Sequence, residues 1–338
     1  MSLPESSRLQ FTPDLRICRV LNGMWQVSGA HGSIDPKKAI SSMFSYFDAS
    51  FTTWDLADIY GPSENFIGEF RKQLIDSRGI EALSNLQAFT KWVPMPGRMT
   101  RKIVEENISL SLKRMNIETL DLLQFHWWDY HDANYLDALT YLSELRDEGR
   151  IKHVALTNFN TEHLGRIADN GIRIVSNQVQ FSLVDLRPKE QMVEYCKEHN
   201  IQLLTYGTIC GGLLSEKYLG QPEPRSSVLN TASLKKYKQM VDAWGGWDLF
   251  QELLHMLKKI GEKHNASIAN VGTRYILDEP MVAGVIIGTR LGVTDHIADN
   301  AHVFDFKLDN EDHELIEPIL QKSHDLYRLI GDCGDEYR

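Results

Sequence analysis

Four side chains suited to proton transfer lie at or just beyond three apolar segments of the sequence. Asp55 ends FTTWD and precedes LADIYG, which contains Tyr60; Lys91 lies in LQAFTKWV and His126 in LDLLQFHW. A phenol with a reference pKa near 10 serves as an acid at neutral pH when a nearby ammonium stabilises its anion. A buried ammonium in turn needs a counter-charge, which a carboxylate supplies. The four residues therefore form a complete set for protonating an oxygen that becomes negative during a reaction.

The reaction that fits this set is reduction of a carbonyl by hydride transfer. We predict that Tyr60 donates the proton, Lys91 lowers the pKa of Tyr60, and Asp55 balances the charge of Lys91. Neutral His126 donates a hydrogen bond to the substrate oxygen or hands on the proton. Taken alone, Asp55 is more readily explained as a helix cap or turn residue, Tyr60 as a surface aromatic and His126 as a hydrogen-bonded core histidine. Lys91 has a second chemical interpretation as the Schiff-base amine of a barrel aldolase.

Eight short apolar segments rich in β-formers must position these residues. Several are apolar at consecutive positions, as expected for strands buried on both faces. The segments are RVLNGMW (19–25), FTTWD (51–55), LQAFTKWV (86–93), LDLLQFHW (120–127), IKHVALTNF (151–159), IRIVSNQVQ (172–180), IQLLTYG (201–207) and MVAGVIIGT (281–289). Because reactive groups of a closed parallel barrel gather at the carboxyl ends of its strands, the four candidate residues are expected at one rim.

Amphipathic helical patterns separate the apolar segments. They cover 36–49, 100–115, 134–150, 161–170, 188–199, 249–264 and 267–278, with Asp35 and Thr100 as N-caps and Pro36 at a first helical position. Strand–helix alternation sustained eight times, without a Gly-x-Gly-x-x-Gly turn, favours a single-domain (β/α)₈ TIM barrel over 1–338 rather than a doubly wound sheet. We also expect a floor hairpin in LQFTPDLRICR, a long binding loop at 208–248 after strand 7, and a C-terminal helix at 309–331.

Composition excludes several classes of partner. The 338 residues include 46 acidic and 36 basic side chains, for a formal net charge of −10, and no basic stripe suited to nucleic acid. No apolar run approaches the roughly 20 residues that span a bilayer, and MSLPESSRLQ lacks the layout of a signal peptide. We therefore predict no nucleic-acid partner, no membrane partner and a cytoplasmic location. The oligomeric state stays open.

Metal and disulfide chemistry are not expected. The segment HWWDYH offers His126, Asp129 and His131, but their spacing does not place both histidines on one helix face, and no third clustered ligand is evident. The four cysteines are widely scattered and contain no Cys-x-x-Cys pair, which suits a reducing compartment. They are Cys18, Cys196, Cys210 and Cys333.

The stretch WDLADIYGPSENFIGEF resembles the aldo-keto reductase signature around that family's catalytic Asp and Tyr. Six later segments are similar to the family's motifs in the family's order, from about Leu21 to about Asn300. They are FTKW, DLLQFHWWD, ALTNF, VSNQVQFS, LLTYGTICGGLLSEKY and VIIGTRLGVTDHIADN. The resemblance implies a barrel that binds an extended NAD(P)(H) without a Rossmann unit and transfers hydride directly to a carbonyl carbon.

The resemblance implies roles for individual residues. Asp55, Tyr60, Lys91 and His126 match the catalytic four. Thr157, Asn158 and Gln178 match contacts to the nicotinamide carboxamide, and Tyr206 matches the ring on which the nicotinamide stacks. Gly288, Thr289 and Arg290 match the segment around the adenosine phosphate, and Asn300 an adenine contact. We add Gly23, Trp25, Asp55, Gly207, Thr208 and Asp299 to the cofactor site. Because the planar fork of Arg290 suits a 2′-phosphate, NADP(H) is preferred, with NAD(H) still possible.

Departures from the family pattern concern binding rather than chemistry. Gly207 and Thr208 follow Tyr206 where the family usually has Ser-Pro, so the pyrophosphate loop is expected to take a different path. The substrate, a small aldehyde, ketone or sugar, is expected to bind in a pocket of aromatic and catalytic side chains. That pocket is predicted to contain Trp25, Tyr60, Trp92, His126 and Trp127. A cofactor-binding regulatory or redox-sensing subunit with little turnover is the alternative function.

Overall fold

Eight parallel strands close into a barrel in the computed structural model, which describes residues 3–29 and 31–337. Two antiparallel strands precede the barrel, β1 (Arg8–Thr12) and β2 (Leu15–Cys18). The barrel strands are β3 (Val20–Gly23), β4 (Thr53–Asp55), β5 (Gln87–Trp92), β6 (Leu120–His126), β7 (Ile151–Thr157), β8 (Ser176–Gln180), β9 (Gln202–Tyr206) and β10 (Val282–Gly288). Strand neighbours follow chain order, and β10 closes the ring by pairing with β3. The predicted barrel and its eight strand segments are confirmed.

The hairpin of β1 and β2 seals the amino-terminal end of the barrel. Its apolar side chains Phe11, Leu15 and Ile17 are buried in one cluster with inward-facing barrel residues such as Leu21 and Phe89. Inward-facing positions of a small barrel are filled by side chains, so the floor is a packed core rather than a channel. The open end of the barrel is therefore the opposite one, where the strands carry their carboxyl ends.

Helices surround the barrel in the order expected from alternation. They are α1 (Pro36–Asp48), α2 (Ser63–Arg78), α3 (Arg101–Met115), α4 (Tyr135–Asp147), α5 (Thr161–Asp169), α6 (Met192–His199), α7 (Ala232–Trp244), α8 (Gly246–His264), α9 (Ile268–Leu277), α10 (Ile297–Ala301), α11 (Asn310–Leu320) and α12 (Leu326–Ile330). The predicted caps are present, because the Asp35 carboxylate accepts hydrogen bonds from the first turn of α1 and the Thr100 hydroxyl accepts one from Ile103 N.

Helix α2 and the C-terminal segment differ from the sequence prediction. Helix α2 was not predicted; it starts after Pro62 without a side-chain cap, and Gly68 weakens its helical pattern. The structure explains that glycine, since a Cβ there would lie 2.2 Å from Arg114 O at the contact with α3. The single C-terminal helix predicted over 309–331 is wrong, because α11 ends at Leu320 and α12 starts separately with its own cap, Asp325.

The long segment after the seventh barrel strand contains more structure than a loop. Residues 208–248 include short 3₁₀ turns, all of α7 and the first turn of α8. Helix α7 reaches across the carboxyl end of the barrel, where Ser233 Oγ lies 2.9 Å from His31 Nε2. The segment therefore covers the open end of the barrel, consistent with the predicted position of a binding loop.

Three further observations concern the described part of the chain. Its helices include none that is long and apolar enough to cross a membrane. Within residues 3–29 and 31–337, no group of three His, Cys, Asp or Glu side chains is arranged to hold a metal ion. All four cysteines are buried free thiols.

Candidate active site

The ends of β4 and β5 bring together a buried ion pair. Lys91 Nζ donates to Asp55 Oδ2 at 2.6 Å and to Leu56 O at 2.9 Å. The two charged side chains are only 3% and 4% exposed. The strands pair in register, so residues near their carboxyl ends meet at one rim. The predicted pairing of amine and carboxylate is therefore present in the structure.

Two glutamines satisfy the other oxygen of Asp55. Gln124 Nε2 donates to Asp55 Oδ1 at 2.9 Å and Gln178 Nε2 at 2.8 Å, and Gln178 also donates to Gln124 Oε1 at 2.6 Å. Buried charges are tolerated when charge and hydrogen-bonding capacity are both met. Gln124 was not predicted, although a glutamine within the apolar segment LDLLQFHW was a readable signal; in the structure it is fully buried.

Tyr60 lies directly over this pair. Lys91 Nζ is 4.9 Å from the centroid of the Tyr60 ring. Burial raises the pKa of Tyr60 well above its usual value, and the nearby Asp55, Tyr337 and Asp58 raise it further. Burial also lowers the pKa of Lys91, against the opposing effect of Asp55. The pKa of Tyr60 is therefore raised in this site, mainly by desolvation, and the lowering expected from Lys91 is not seen.

His126 ends β6 beside the phenol and is oriented by the backbone. His126 Nδ1 lies 3.1 Å from Thr157 O. A carbonyl oxygen can only accept, so the ring hydrogen belongs on Nδ1. In the neutral ring this tautomer makes Nε2 an acceptor. Donation from neutral His126 to the substrate oxygen would need the other tautomer, and it stays a prediction.

A groove of about 1040 Å³ runs from these four residues across the open end of the barrel. It is lined by the catalytic candidates and by most of the predicted cofactor residues. Those lining residues are Gly23, Trp25, Asp55, Tyr60, Lys91, His126, Thr157, Asn158, Gln178, Tyr206, Gly207, Gly288, Arg290, Asp299 and Asn300. Residues from all eight barrel strands and their loops therefore converge on one continuous surface, as the closed topology requires.

Two predicted cofactor residues face away from the groove. The Thr208 hydroxyl donates to Phe181 O at 3.0 Å, and the Thr289 hydroxyl donates to Gly23 O at 2.9 Å. Both side chains are buried and satisfied within the protein. Their side chains hold neighbouring loops in place, which corrects their assignment as cofactor contacts.

Two predicted pocket tryptophans are also displaced from the substrate site. Trp92 packs outside the barrel with its ring 5.5 Å from that of Phe125, and Trp127 is fully buried with its indole N–H directed at Asp129 O and Asp132 O. Side chains alternate along a strand, so a residue next to an inward-facing Lys91 or His126 points outward. Trp128 takes the predicted place instead, lining the groove with its ring 4.3 Å from His126.

The groove has features that suit a dinucleotide. Thr157 Oγ1 is buried without a hydrogen-bond partner among the described residues, next to Asn158. Gly288 allows the Gln26 side chain to lie against its backbone, since a Cβ there would lie 2.1 Å from the Gln26 amide nitrogen. Arg290 donates to His31 O at 3.1 Å and has no carboxylate within ion-pair distance in the described ranges. Thr157 and Arg290 thus supply an unpaired polar atom and a cation along one groove.

The family model described as the aldo/keto reductase family matches residues 19–321, nearly the whole chain. The chain belongs to this family. Membership places it among oxidoreductases of carbonyl compounds and agrees with the resemblance read from its motifs. The closed eight-stranded barrel is also the fold of solved aldo-keto reductases.

Individual relatives are distant from this aldo-keto reductase. The chain is 24% identical over 318 residues to aldo-keto reductase YhdN of Bacillus subtilis, covering 90% of each chain. It is 31% identical over 180 residues to flagellar radial spoke protein 5 of Chlamydomonas reinhardtii, covering 48% of this chain and 34% of that one. The glycerol dehydrogenase structure from Gluconobacter oxydans has a TM-score of 0.77, 19% identity and coverage of 97% and 98%. An aldo-keto reductase structure from Klebsiella pneumoniae with NADPH has a TM-score of 0.69, 16% identity and coverage of 93% and 95%.

Sequence reasoning missed one side of this aldo-keto reductase's site. Tyr337 lies with its ring 6.1 Å from His126 and its hydroxyl 3.0 Å from Tyr206 Oη. Lys236, on α7, donates to the Tyr337 hydroxyl. Tyr206 also donates to Asn158 Oδ1 at 2.8 Å. No sequence signal located Lys236 or Tyr337, because both reach the site through contacts between distant parts of the chain.

Proposed function

We propose that this chain interconverts a carbonyl compound and its alcohol with NADP(H), using Tyr60 as general acid in reduction and general base in oxidation. The observation that carries the proposal is the buried Asp55–Lys91 pair beneath Tyr60, at one end of a groove suited to a dinucleotide. Burying such a pair costs desolvation free energy, and buried ionisable groups that line a groove are often functional. The bound cofactor would supply the hydride.

The residues of this chain supply the proton and the stabilisation of its donor. Tyr60 retains its proton at neutral pH because burial raises its pKa. After donation, the phenolate lies over the Lys91 ammonium, which stabilises the new negative charge in a site of low polarity. Asp55, fixed by both glutamines, keeps that ammonium charged and in place. His126, oriented by Thr157 O, forms the neighbouring wall of the site and sets the direction of approach for the substrate oxygen.

Other residues would hold the cofactor. Thr157 and Asn158 offer polar groups to the carboxamide, and Gln178 offers its Oε1, since its amide nitrogen is occupied by Asp55 and Gln124. Tyr206 provides the ring on which the nicotinamide would stack. Arg290, exposed on the groove, is proposed to grip the 2′-phosphate of NADP(H). The Klebsiella pneumoniae structure, which holds NADPH in the same fold, supports a nicotinamide cofactor.

The test begins with fluorescence titration of the purified protein with NADPH and NADH, followed by turnover of a panel of aldehydes, ketones and sugars. We expect Tyr60→Phe to lower carbonyl reduction at least a hundredfold while NADPH affinity changes less than threefold, because the phenol acts on the substrate. Tyr141→Phe, on the outer helix α4, is the matched control. Arg290→Ala should weaken NADPH binding far more than NADH binding.

The outcomes separate the candidate functions. Full activity of Tyr60→Phe would show that Tyr60 is not the acid. Equal losses of NADPH and NADH affinity in Arg290→Ala would contradict binding of the 2′-phosphate by Arg290. Tight binding of NADPH without turnover of any carbonyl would favour the alternative of a cofactor-binding regulatory or redox-sensing subunit. A covalent adduct at Lys91 trapped by borohydride, with no response to nicotinamide, would indicate an aldolase.

A further inference from the structure

Lys236 brings a positive charge into the groove without a carboxylate to balance it. Its side chain is half-buried and lines the groove, and no carboxylate of residues 3–29 or 31–337 lies within ion-pair distance. Three phenol rings surround the ammonium, with centroids 4.5 Å away at Tyr337, 5.0 Å at Tyr206 and 5.5 Å at Tyr237. Aromatic faces stabilise a cation only in part, so the ammonium retains capacity for an anion.

Lys238, on the same helix as Lys236, is a lysine whose charge is balanced within the protein. Lys238, two residues on, is buried and forms ion pairs with Glu223 and Asp242. The chain carries 46 acidic residues, so carboxylates are abundant. Lys236 faces the groove and contacts none of them. This contrast indicates that the partner of Lys236 comes from a bound molecule.

The ammonium is close to the reacting end of the groove. Lys236 donates to the hydroxyl of Tyr337, and the ring of Tyr337 lies 6.1 Å from that of His126. Two other described cations line the groove without forming an ion pair, Arg290 and Lys217. Arg290 donates to His31 O. Lys217 belongs to the turn whose Glu216 accepts a hydrogen bond from Ile268 N of α9. Lys236 is therefore the cation within reach of a small molecule whose carbonyl lies at Tyr60 and His126.

A buried network holds Tyr337 in this position. Glu336 accepts from Arg187 at 3.1 Å, and Arg187 in turn donates to Asp185 at 2.8 Å, with the arginine and aspartate almost completely buried. Asn160 donates to Asp335 at 2.9 Å. These contacts fix residues 335–337 across the groove, so the phenol that orients Lys236 is a built part of the site.

Apolar side chains also line the groove. They are Trp25, Ile59, Val93 and Trp128, the last with its ring 4.3 Å from that of His126. A substrate in the groove would thus contact apolar and aromatic surface as well as a cation.

We infer that Lys236 is a specificity-determining residue that binds an oxyanion, most simply a carboxylate, on the carbonyl substrate. The inference deepens the proposed function and depends on it. A charge-assisted hydrogen bond from the ammonium to this group would orient the carbonyl toward Tyr60. The substrate class is therefore an aldehyde or ketone that also carries an acidic group.

The test compares pairs of substrates that differ in charge. Rates are measured with NADPH for 4-formylbenzoate and for its methyl ester, and for glyceraldehyde 3-phosphate against glyceraldehyde, which separates carboxylate from phosphate. We expect kcat/KM for one charged member to exceed that of its neutral partner at least tenfold. Lys236→Met, which keeps most of the aliphatic stem, should reduce that ratio at least tenfold through KM, and Lys236→Arg should restore most of it. Lys235→Met, exposed on the same helix, is the control for loss of one charge.

Each remaining outcome contradicts the inference. A wild-type ratio near one for both pairs would show that no acidic group is recognised, independently of how any variant folds. Equal losses for charged and neutral substrates in Lys236→Met would assign Lys236 a structural role. A matching loss of NADPH affinity would assign it to the cofactor phosphates. Failure to reduce either member of both pairs would refute the proposed function itself and is recognised by the absence of turnover.

Discussion

Asp55→Asn removes the counter-charge of Lys91 while preserving the shape of the side chain. Both members of the pair are almost fully buried, at 4% and 3% exposure. Removing one partner of such a pair costs about 3–5 kcal/mol, because the remaining charge stays in a poorly solvated site. The unfolding entropy is about 2.1 cal/mol/K per residue, or roughly 0.7 kcal/mol/K for 338 residues. A loss of about 4 kcal/mol therefore lowers Tm by about 6 °C.

The double variant Asp55→Asn/Lys91→Met should recover most of this loss. It replaces an ion pair by two neutral groups of similar volume, a change that is often close to neutral in stability. The assay is a double-mutant cycle of Tm and urea midpoints for the wild type, both single variants and the double variant. Additive losses in the cycle would refute the view that the two charges depend on each other.

The stability of the single variant Asp55→Asn should also depend on pH in a characteristic way. Burial already lowers the pKa of Lys91, and loss of Asp55 lowers it further. A base whose folded pKa lies below its unfolded value binds more protons when unfolded, so stability rises with pH up to about the unfolded pKa of 10.4. The deficit of Asp55→Asn relative to wild type should therefore shrink between pH 7 and pH 9. A deficit that does not change with pH would contradict this account.

Three further predictions concern residues around the site. Gln124→Leu removes a hydrogen bond to the buried Asp55 carboxylate, worth about 1.5–3 kcal/mol, and should lower Tm by about 3 °C together with kcat, which thermal scans and steady-state rates would show. Trp128→Ala should raise KM with little change in Tm, whereas Trp127→Ala should lower stability by about 3–5 kcal/mol, as urea unfolding would reveal; equal effects would contradict their different positions. The four buried thiols, whose pKa values are raised by burial to about 11 for Cys18 and about 12 for Cys196, should stay unreactive toward a disulfide reagent at pH 8 until urea unfolds the chain. Rapid labelling of the native protein would show that a thiol is accessible.

Helix assignment shows where local patterns were informative. Asp35 and Thr100 cap helices as predicted, because capping is a contact between residues two or three positions apart. Helix α2 escaped prediction because Gly68, unfavourable by propensity, is required by the close approach of α3. The break between α11 and α12 depends on how the chain turns back over the barrel.

Tertiary structure also decided the chemistry of the predicted residues. The sequence supplied Tyr60 and Lys91, and their expected relation was a lowered phenol pKa. The closed site desolvates the phenol and surrounds it with Asp55, Asp58 and Tyr337, so the pKa moves up instead. The hydrogen on His126 Nδ1 was likewise set by Thr157 O on the neighbouring strand.

By itself, the sequence determined the eight strands and the order of Asp55, Tyr60, Lys91 and His126 at their ends, because burial periodicity and strand termini are encoded locally. Only the tertiary structure decided which tryptophan lines the groove, which glutamines hold Asp55, and that Lys236 meets Tyr337 near His126. The last contact joins positions 101 residues apart in sequence. Such contacts exist only once the barrel has closed and the segments after β9 and α12 have folded across its open end, and no local pattern specifies them.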